Sequence, residues 1–177
     1  MSLITEITFK PIGVIHSQYK KATGTPIQPC RAYESHGYVA VREEFAAGLA
    51  DLAGFDRVWL IYWFHRAAAA KLSVIPYRDK VERGLFATRA PARPNAIGMS
   101  CVRLLDVSGN ILRIAGVDIL DGTPLLDLKP YVPAYDNYPV ERCGWLDTVP
   151  DVPVVADARF ECAEFCSGTS VKSETSI

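Results

Sequence analysis

The segment at residues 86–98, FATRAPARPNAIG, has the side chains of a ligand-binding loop. It places Arg89, Arg93 and Asn95 among two prolines, between stretches of apolar sequence. An arginine can form two parallel hydrogen bonds with a carboxylate or a phosphate, and an asparagine amide can both donate and accept at the edge of a base. Because prolines lower the entropy that a loop loses on binding, this composition favours a binding role.

A second polar segment, DILDGTPLLDLKPY at residues 118–131, carries three aspartates and a lysine among apolar residues. Isolated charges are costly in such surroundings unless they are paired or used in function. Asp118 and Asp121 flank a tight turn, so both carboxylates can face one pocket. The structural alternative is that aspartate caps the turn, which is common, and that the arginines of the first segment pair with Asp118 or Asp121.

Motifs of the common nucleotide-binding and hydrolase families are missing from the sequence. The 12 glycines form neither GxGxxG nor GxxxxGK[ST], so a Rossmann fingerprint and a Walker loop are both excluded. GxSxG and HExxH are absent as well. The five cysteines are odd in number, irregularly spaced and without a CxxC pair. They predict free thiols and no metal site.

The bulk properties describe one globular domain, with 177 residues of which 49% are hydrophobic. No apolar run reaches the roughly 20 residues that span a bilayer, and residues 1–10 lack the features of a secretory signal. We therefore expect a cytoplasmic protein with no membrane contact. The net charge is −1, but residues 78–93 hold five basic residues against two acids. This cationic segment is either a phosphate-binding surface or a solvated one.

Short strands dominate the predicted elements, and one short helix is predicted at residues 43–52 from its apolar spacing. The predicted strands lie at residues 7–17, 37–42, 57–65, 101–107, 111–117, 123–131 and 158–165. A hairpin at residues 108–110 joins two of them. Many strands and few helices predict a mainly β class: a single closed or partly open β-barrel with one or two short helices, and not a Rossmann fold.

The two polar segments, taken together and in this order, resemble the signature pair of the TrmO family, also described as VirR-like. Three further motifs support the resemblance: PIGVIHS at residues 11–17, TPIQ at residues 25–28 and LAGFDRVWLIYWFHR at residues 52–66. The matching motifs are collinear and cover residues 11 to about 133. The resemblance implies a TrmO-like β-barrel domain over residues 1–135, with residues 136–177 as an acidic C-terminal extension that packs on the barrel or trails from it.

The resemblance also implies an S-adenosylmethionine-dependent methyltransferase. It would methylate N6 of threonylcarbamoyladenosine next to the anticodon, so its implied partners are the anticodon loop of tRNA and a second copy of itself in a homodimer. The residues implied to contact S-adenosylmethionine are Pro26, Ile27, Gln28, His65, Arg66, Arg89, Met99, Asp118, Ile119, Leu120 and Asp121.

Methyl transfer is an in-line displacement, for which the protein must align the acceptor nitrogen and exclude water. The N6 nitrogen must also lose a proton. Our hypothesis is that Asp121 or a nearby lone pair accepts this proton, while Asn95, Lys129 and Tyr131 position the modified base. These four residues form the predicted catalytic set.

Two features of the sequence leave alternatives open. Ala96 replaces the second proline of the family's usual RPNPIG, which makes the loop less rigid. The C-terminal extension is short and acidic, which makes a methyltransferase for a small molecule credible. Besides the tRNA methyltransferase and the small-molecule methyltransferase, the other alternative is a non-catalytic S-adenosylmethionine-binding sensor or adaptor, which would not need Asn95, Lys129 or Tyr131.

Overall fold

The computed structural model describes residues 6–152 and 154–163. Within these residues, eight strands are joined mainly by loops and 3-10 turns. The strands are β1 Gly13–Ser17, β2 His36–Val41, β3 Arg57–Trp63, β4 Ser73–Val74, β5 Arg83–Gly84, β6 Ile97–Ser108, β7 Ile111–Ala115 and β8 Thr123–Pro130.

Six of the strands close into a barrel in the order β1-β2-β7-β6-β3-β8. Every neighbouring pair is antiparallel, including β1 with β8, which closes the barrel. β4 and β5 form a separate two-stranded sheet. The predicted mainly β class is confirmed, and the barrel is closed rather than partly open.

The core forms from every second side chain of the strands, because successive side chains of a strand point to opposite faces. On β3, Val58, Leu60 and Tyr62 point inward and are buried, while Trp63 points outward and is exposed. The same pattern on the other strands adds further buried side chains to the barrel interior: Ile15, Val39, Val41, Val102, Leu104, Leu112, Ile114 and Leu125.

The hairpin predicted at residues 108–110 joins β6 and β7. Gly109 has a φ of 59°, in the left-handed region that favours glycine in tight hairpins. A shift in register lies between Leu104 and Asp106 on β6. Such bulges bend a strand and increase its twist, which barrel closure requires.

The connections between the strands lie at two ends of the barrel. One end, which we call the loop end, carries the three connections at residues 18–35, 64–96 and 116–122. The opposite end, the turn end, carries the β6–β7 hairpin and the last residues of β8. Since β3 and β6 are antiparallel, Trp63 meets Ile97 at the loop end, and Arg57 meets Arg103 at the turn end.

The helix predicted at residues 43–52 forms two 3-10 turns instead, Glu43–Leu49 and Leu52–Gly54. Its first turn has no side-chain cap, and Gly48 weakens a regular helix. Asp51, between the two turns, has a φ of 66°, which breaks the helical path. A one-turn α-helix, α1 Pro133–Asp136, follows β8.

The C-terminal segment, by which we mean residues 151–152 and 154–163, packs beside the loop end. Its Phe160 is buried in a second, smaller core with Val74, Leu85, Ala90 and Ala92. The strand predicted at residues 158–165 is wrong at its start, where Ala158–Phe160 forms a 3-10 turn. The cause is Asp157, whose carboxylate accepts from the backbone N–H of Arg159. Residues 164–177 lie outside the described residues.

Across the described part of the chain, no helix is both long and apolar enough to cross a membrane. The same residues contain no group of three His, Cys, Asp or Glu side chains placed to hold a metal ion. Their four cysteines, Cys30, Cys101, Cys143 and Cys162, are free thiols.

Candidate functional site

The loop end brings together most of the predicted site residues. They come from the three connections of this end and from the start of β6. The residues at this end are Pro26, Ile27, Gln28, His65, Arg66, Arg89, Asn95, Met99, Asp118, Ile119, Leu120 and Asp121.

A hydrogen bond between Arg89 and Gln28 joins two of these connections. Nη1 of Arg89 donates to Oε1 of Gln28 over 2.9 Å. A guanidinium has five N–H donors, so Arg89 keeps donors for a carboxylate or a phosphate while Gln28 fixes its position. Arg89 is exposed, so a ligand in solution can reach it.

Asp118 stands at the end of a chain of buried hydroxyl groups. Oγ of Ser100 donates to Oδ1 of Asp118 over 2.7 Å, and the hydroxyl of Tyr62 lies 3.1 Å from Oγ of Ser100. Removal from water raises the pKa of Asp118 to about 7, although the Ser100 hydrogen bond and the charge of Arg89 oppose the rise. Burial, with the charge of Asp118, raises the pKa of Tyr62, which stays protonated. The loop end thus holds a carboxyl group that exchanges its proton near neutral pH.

Gly98 lets the Tyr62 ring lie against β6. A Cβ atom at position 98 would come within 2.3 Å of the Cε2 atom of Tyr62, a distance that side chains do not tolerate. Phe64 packs edge-on against the same ring, with the ring centroids 5.2 Å apart. The ring is therefore held in one position, with its hydroxyl at Ser100.

Asp121, three residues from Asp118, has different surroundings. Its carboxylate accepts from Nζ of Lys20 at 2.6 Å and from the backbone N–H of Ser17 at 3.1 Å, and Nδ1 of His16 lies 3.2 Å away. Partial burial opposes ionisation, but these hydrogen bonds and the charge of Lys20 together hold the pKa of Asp121 below its usual range. Asp121 therefore fixes the connection after β7 to the end of β1.

His65 lies against the start of β8. Its Nδ1 is 3.4 Å from Oγ1 of Thr123, which donates to the carbonyl oxygen of Leu120. Burial, together with the charge of Arg66, lowers the pKa of His65, so the ring is neutral at pH 7. The side chain of Ile119 is buried in the barrel core, and its carbonyl accepts from Ser17.

Arg66 is bound to the C-terminal segment. Its guanidinium donates to the carboxylate of Glu161 and to the carbonyl oxygen of Lys20. Only 13% of the Arg66 side chain and 3% of the Glu161 side chain are exposed. The second oxygen of Glu161 accepts from the backbone N–H of Ala22. This buried ion pair connects the end of β3, the connection after β1 and the C-terminal segment.

The same C-terminal segment runs beside the connection that carries Pro26, Ile27 and Gln28. Pro26 and Val155 form a β-bridge, and the backbone N–H of Ala156 donates to Thr25 over 2.8 Å. Asp151 accepts from Arg31 and lies 3.2 Å from Arg78. The segment therefore forms one wall of the loop end.

Lys129 and Tyr131 are not brought to the loop end. Lys129 pairs with Trp59 on β3, and the Tyr131 ring lies 6.0 Å from the Trp59 ring, close to the turn end. Lys129 lies six positions after Thr123 along β8, which is about 20 Å at the rise of an extended strand. Within a single chain, Lys129 and Tyr131 therefore lie far from Asn95 and Asp121.

The cationic segment at residues 78–93 is partly neutralised within the fold. Arg78 pairs with Asp151, and Arg83 donates twice to the carboxylate of Asp79. Arg93 donates to two backbone carbonyls and stacks on Phe86.

Five side chains of the loop end were missed by the sequence analysis. Tyr62, Ser100 and Thr123 are hydroxyl residues at inward positions of otherwise apolar strands, and that break in the pattern is the available signal. Lys20 and Glu161 give no such signal, since only the fold brings them to Asp121 and Arg66.

Comparison with protein families matches the chain to the tRNA-methyltransferase O N-terminal domain over residues 14–137. The chain is similar to a probable S-adenosyl-L-methionine-binding protein of Pyrococcus abyssi, with 53% identity over 83% of this chain and 80% of that protein. It is also similar to a mouse tRNA (adenine(37)-N6)-methyltransferase, with 37% identity over 77% of this chain.

Among solved structures, the chain resembles the crystal structure of TrmO from Pseudomonas aeruginosa with a TM-score of 0.67 and 37% identity. That match covers 79% of this chain and 62% of the Pseudomonas chain. The match to the mouse methyltransferase covers only 32% of the mouse protein. The chain thus spans less than two thirds of the length of these two relatives.

Proposed function

The chain belongs to the tRNA-methyltransferase O family, and on that premise we propose that it methylates tRNA with S-adenosylmethionine as the methyl donor. The acceptor in this proposal is N6 of adenosine next to the anticodon, in its threonylcarbamoylated form. A tRNA substrate implies that the protein works in the cytoplasm.

The observation that carries the proposal is the placement of Arg89, Gln28 and Asp118 around one end of the barrel. S-adenosylmethionine supplies a methyl group on positively charged sulfur, and its amino-acid end carries an ammonium and a carboxylate. The exposed guanidinium of Arg89 suits the carboxylate, and the carboxylate of Asp118 suits the positively charged sulfur, close to which the acceptor nitrogen must lie. The charged side chains of Arg89 and Asp118 therefore fit S-adenosylmethionine.

The remaining loop-end residues have supporting roles in the proposal. In the proposal, the main chain at Pro26, Ile27 and Leu120 lies along the edge of the adenine ring, where Ile27 and Leu120 have backbone N–H groups and Pro26 has only a carbonyl. The Arg66–Glu161 ion pair holds the connection after β1 in place, as its contacts with Lys20 and Ala22 indicate. Asn95, exposed at the same end, is placed to contact the tRNA base.

We also infer that the active form is a homodimer in which each site uses both chains. Trp63, Ile97 and Met99 are exposed by 48%, 41% and 52% and are neighbours on the outer face of β3 and β6. Exposed apolar patches of this kind mark interaction surfaces. Lys129 and Tyr131 lie on the same outer face, towards the turn end.

A two-fold axis that lies in the plane of this contact and runs across the strands would place the turn end of one copy against the loop end of the other. Lys129 and Tyr131 of the second copy would then complete the site that holds Arg89, Asn95 and Asp118. This arrangement accounts for the distance between the two groups within one chain.

Methyl transfer from labelled S-adenosylmethionine tests the proposed function. The acceptors are tRNA with and without the threonylcarbamoyl group, and transfer is expected only to the modified tRNA. Arg89→Ala should weaken cofactor binding by roughly ten- to a hundredfold, the loss of a charge-assisted hydrogen bond. Arg113→Ala, on the outer face of β7, is the matched control and should bind like the wild type.

Each other outcome has a definite meaning. Cofactor binding without transfer to any tRNA would point to the sensor or adaptor, and transfer to a small molecule alone would point to a metabolite methyltransferase. Transfer to unmodified tRNA would overturn the assigned acceptor while leaving the enzyme class.

A further inference from the structure

A row of three polar side chains crosses the barrel interior at the loop end: Tyr62 on β3, Ser100 on β6 and Asp118 after β7. Tyr62 and Ser100 are 4% and 1% exposed. The inward neighbours of these two residues, Leu60 and Val102, are fully buried and apolar. Polar groups in such an interior are costly unless they are bonded or used.

While Asp118 is ionised, the hydrogens in this row have one consistent direction. Ser100 has a single hydroxyl hydrogen, and it is donated to Oδ1 of Asp118. The hydrogen between Tyr62 and Ser100 must therefore come from the Tyr62 hydroxyl. Both hydroxyl groups point their hydrogens towards the carboxylate, so the row stabilises the charged form of Asp118 and fixes its orientation.

We propose that Asp118 is the proton acceptor of the methyl-transfer reaction, and that Ser100 and Tyr62 are positioning residues that act through it. The proposal rests on the proposed function. As the new N–C bond forms at N6, the N6–H bond breaks and its proton becomes the O–H of the Asp118 carboxyl. The carbon–sulfur bond of the donor breaks, and its electron pair stays on sulfur.

The surroundings of the two aspartates favour Asp118 over Asp121 in this role. The groups that act electrostatically on the Asp118 carboxyl are the Ser100 hydroxyl, its own backbone N–H and the Arg89 guanidinium, and its pKa is about 7. A carboxylate with that pKa both takes and releases a proton near neutral pH. Asp121 already accepts from Lys20 and Ser17 and has a lowered pKa, so it is a poor proton acceptor.

The first test measures Asp118 in the free protein, without cofactor or tRNA. Carbon-13 labelling of the aspartate carboxyl groups lets NMR follow the titration of Asp118, assigned from the Asp118→Asn spectrum. Ser100→Ala removes the donor that favours the charged form, so the Asp118 titration should move to higher pH. Tyr62→Phe should move it in the same direction by less, because it acts through Ser100.

The second test measures steady-state kinetics with threonylcarbamoylated tRNA. Asp118→Asn should lower kcat by about a hundredfold or more, the usual contribution of a general base. Ser100→Ala should lower kcat by roughly tenfold while KM for S-adenosylmethionine stays within about twofold. The acidic limb of its pH–rate profile should move to higher pH, which a purely structural role would not cause.

Two control variants separate this effect from a loss of packing. Ser100→Thr keeps the hydroxyl and should retain most of the activity, while Val102→Ala opens a cavity on the same strand and should keep the wild-type pH profile. If Ser100→Ala fails to fold, Tyr62→Phe decides the same question.

Wild-type kcat and an unchanged Asp118 titration in both Ser100→Ala and Tyr62→Phe would overturn the role of the row. A wild-type protein that transfers no methyl group at all would instead overturn the proposed function, while the NMR titration would still report whether Ser100 and Tyr62 tune Asp118.

Discussion

Two aspartates three residues apart differ in chemistry because of what surrounds them. Asp118 ends a buried row of hydroxyl groups, and its pKa is raised by removal from water. Asp121 is bonded to an ammonium and a backbone N–H, and its pKa is lowered. The sequence presents both as carboxylates flanking one turn, so the choice of proton acceptor depends on neighbours that come from β1, β3 and β6.

The lowered pKa of Asp121 predicts a pH-dependent contribution to stability. Ionised Asp121 stabilises the fold at pH values above the ordinary aspartate pKa, near 4, and this contribution is lost as the pH falls through the lowered folded-state value. The thermal unfolding midpoint of Asp121→Asn should therefore lie below that of the wild type at pH 7. The difference should shrink steadily below about pH 4.

Asp56→Asn is the control for this measurement, since Asp56 is exposed at the turn end. It should unfold like the wild type at each pH. A wild-type advantage over Asp121→Asn that is equally large at pH 7 and pH 3 would contradict the ionic contribution of Asp121.

At the scale of elements, two acidic side chains of the C-terminal segment form ion pairs with other parts of the chain, and the two side chains differ mainly in burial. Glu161 is 3% exposed and faces Arg66, whereas Asp151 is 70% exposed and lies between Arg31 and Arg78. Exposed ion pairs add little to stability because water and salt screen them. Breaking a buried ion pair leaves the remaining charge without its counter-ion in a low-dielectric site.

Glu161→Gln is therefore expected to lower the free energy of unfolding by about 3 kcal/mol, and Asp151→Asn is expected to change it little. Urea denaturation of the two variants measures both free energies of unfolding. Each variant differs from the wild type by one side-chain charge. Since Glu161 also accepts from Ala22 beside Pro26, its loss should weaken cofactor binding as well. Equal destabilisation by the two variants would contradict the importance of burial.

The strands were predictable where local pattern decides the structure. β3 is a continuous apolar run, and the β6–β7 hairpin has Gly109 at a position that requires a positive φ. The helix predicted at residues 43–52 was wrong because backbone geometry at Asp51 breaks its path. The strand predicted at residues 158–165 was wrong at its start, where Asp157 caps a 3-10 turn. The β-bridge of Val155 with Pro26 is a long-range contact that local pattern cannot reveal.

On the scale of the whole molecule, order along the chain does not say which end of a barrel a residue occupies. Asp121 and Lys129 are eight positions apart in one motif, yet β8 carries Lys129 to the turn end. In the homodimer that we propose, a second copy in the opposite orientation would restore the predicted grouping of Asn95, Asp121, Lys129 and Tyr131.

Mixing two inactive variants tests this shared site. Arg89→Ala should disable the loop end of a site, and Lys129→Ala should disable the part that the second copy supplies. In a random mixture about half of the dimers contain one of each variant, and each such dimer has one intact site, so activity should return to about a quarter of the wild-type value. Transfer to threonylcarbamoylated tRNA, measured after the mixture has exchanged subunits, gives the result. Two variants that stay inactive together, although size measurements show that they form mixed dimers, would mean that each chain builds its own complete site and that Lys129 acts at the turn end instead.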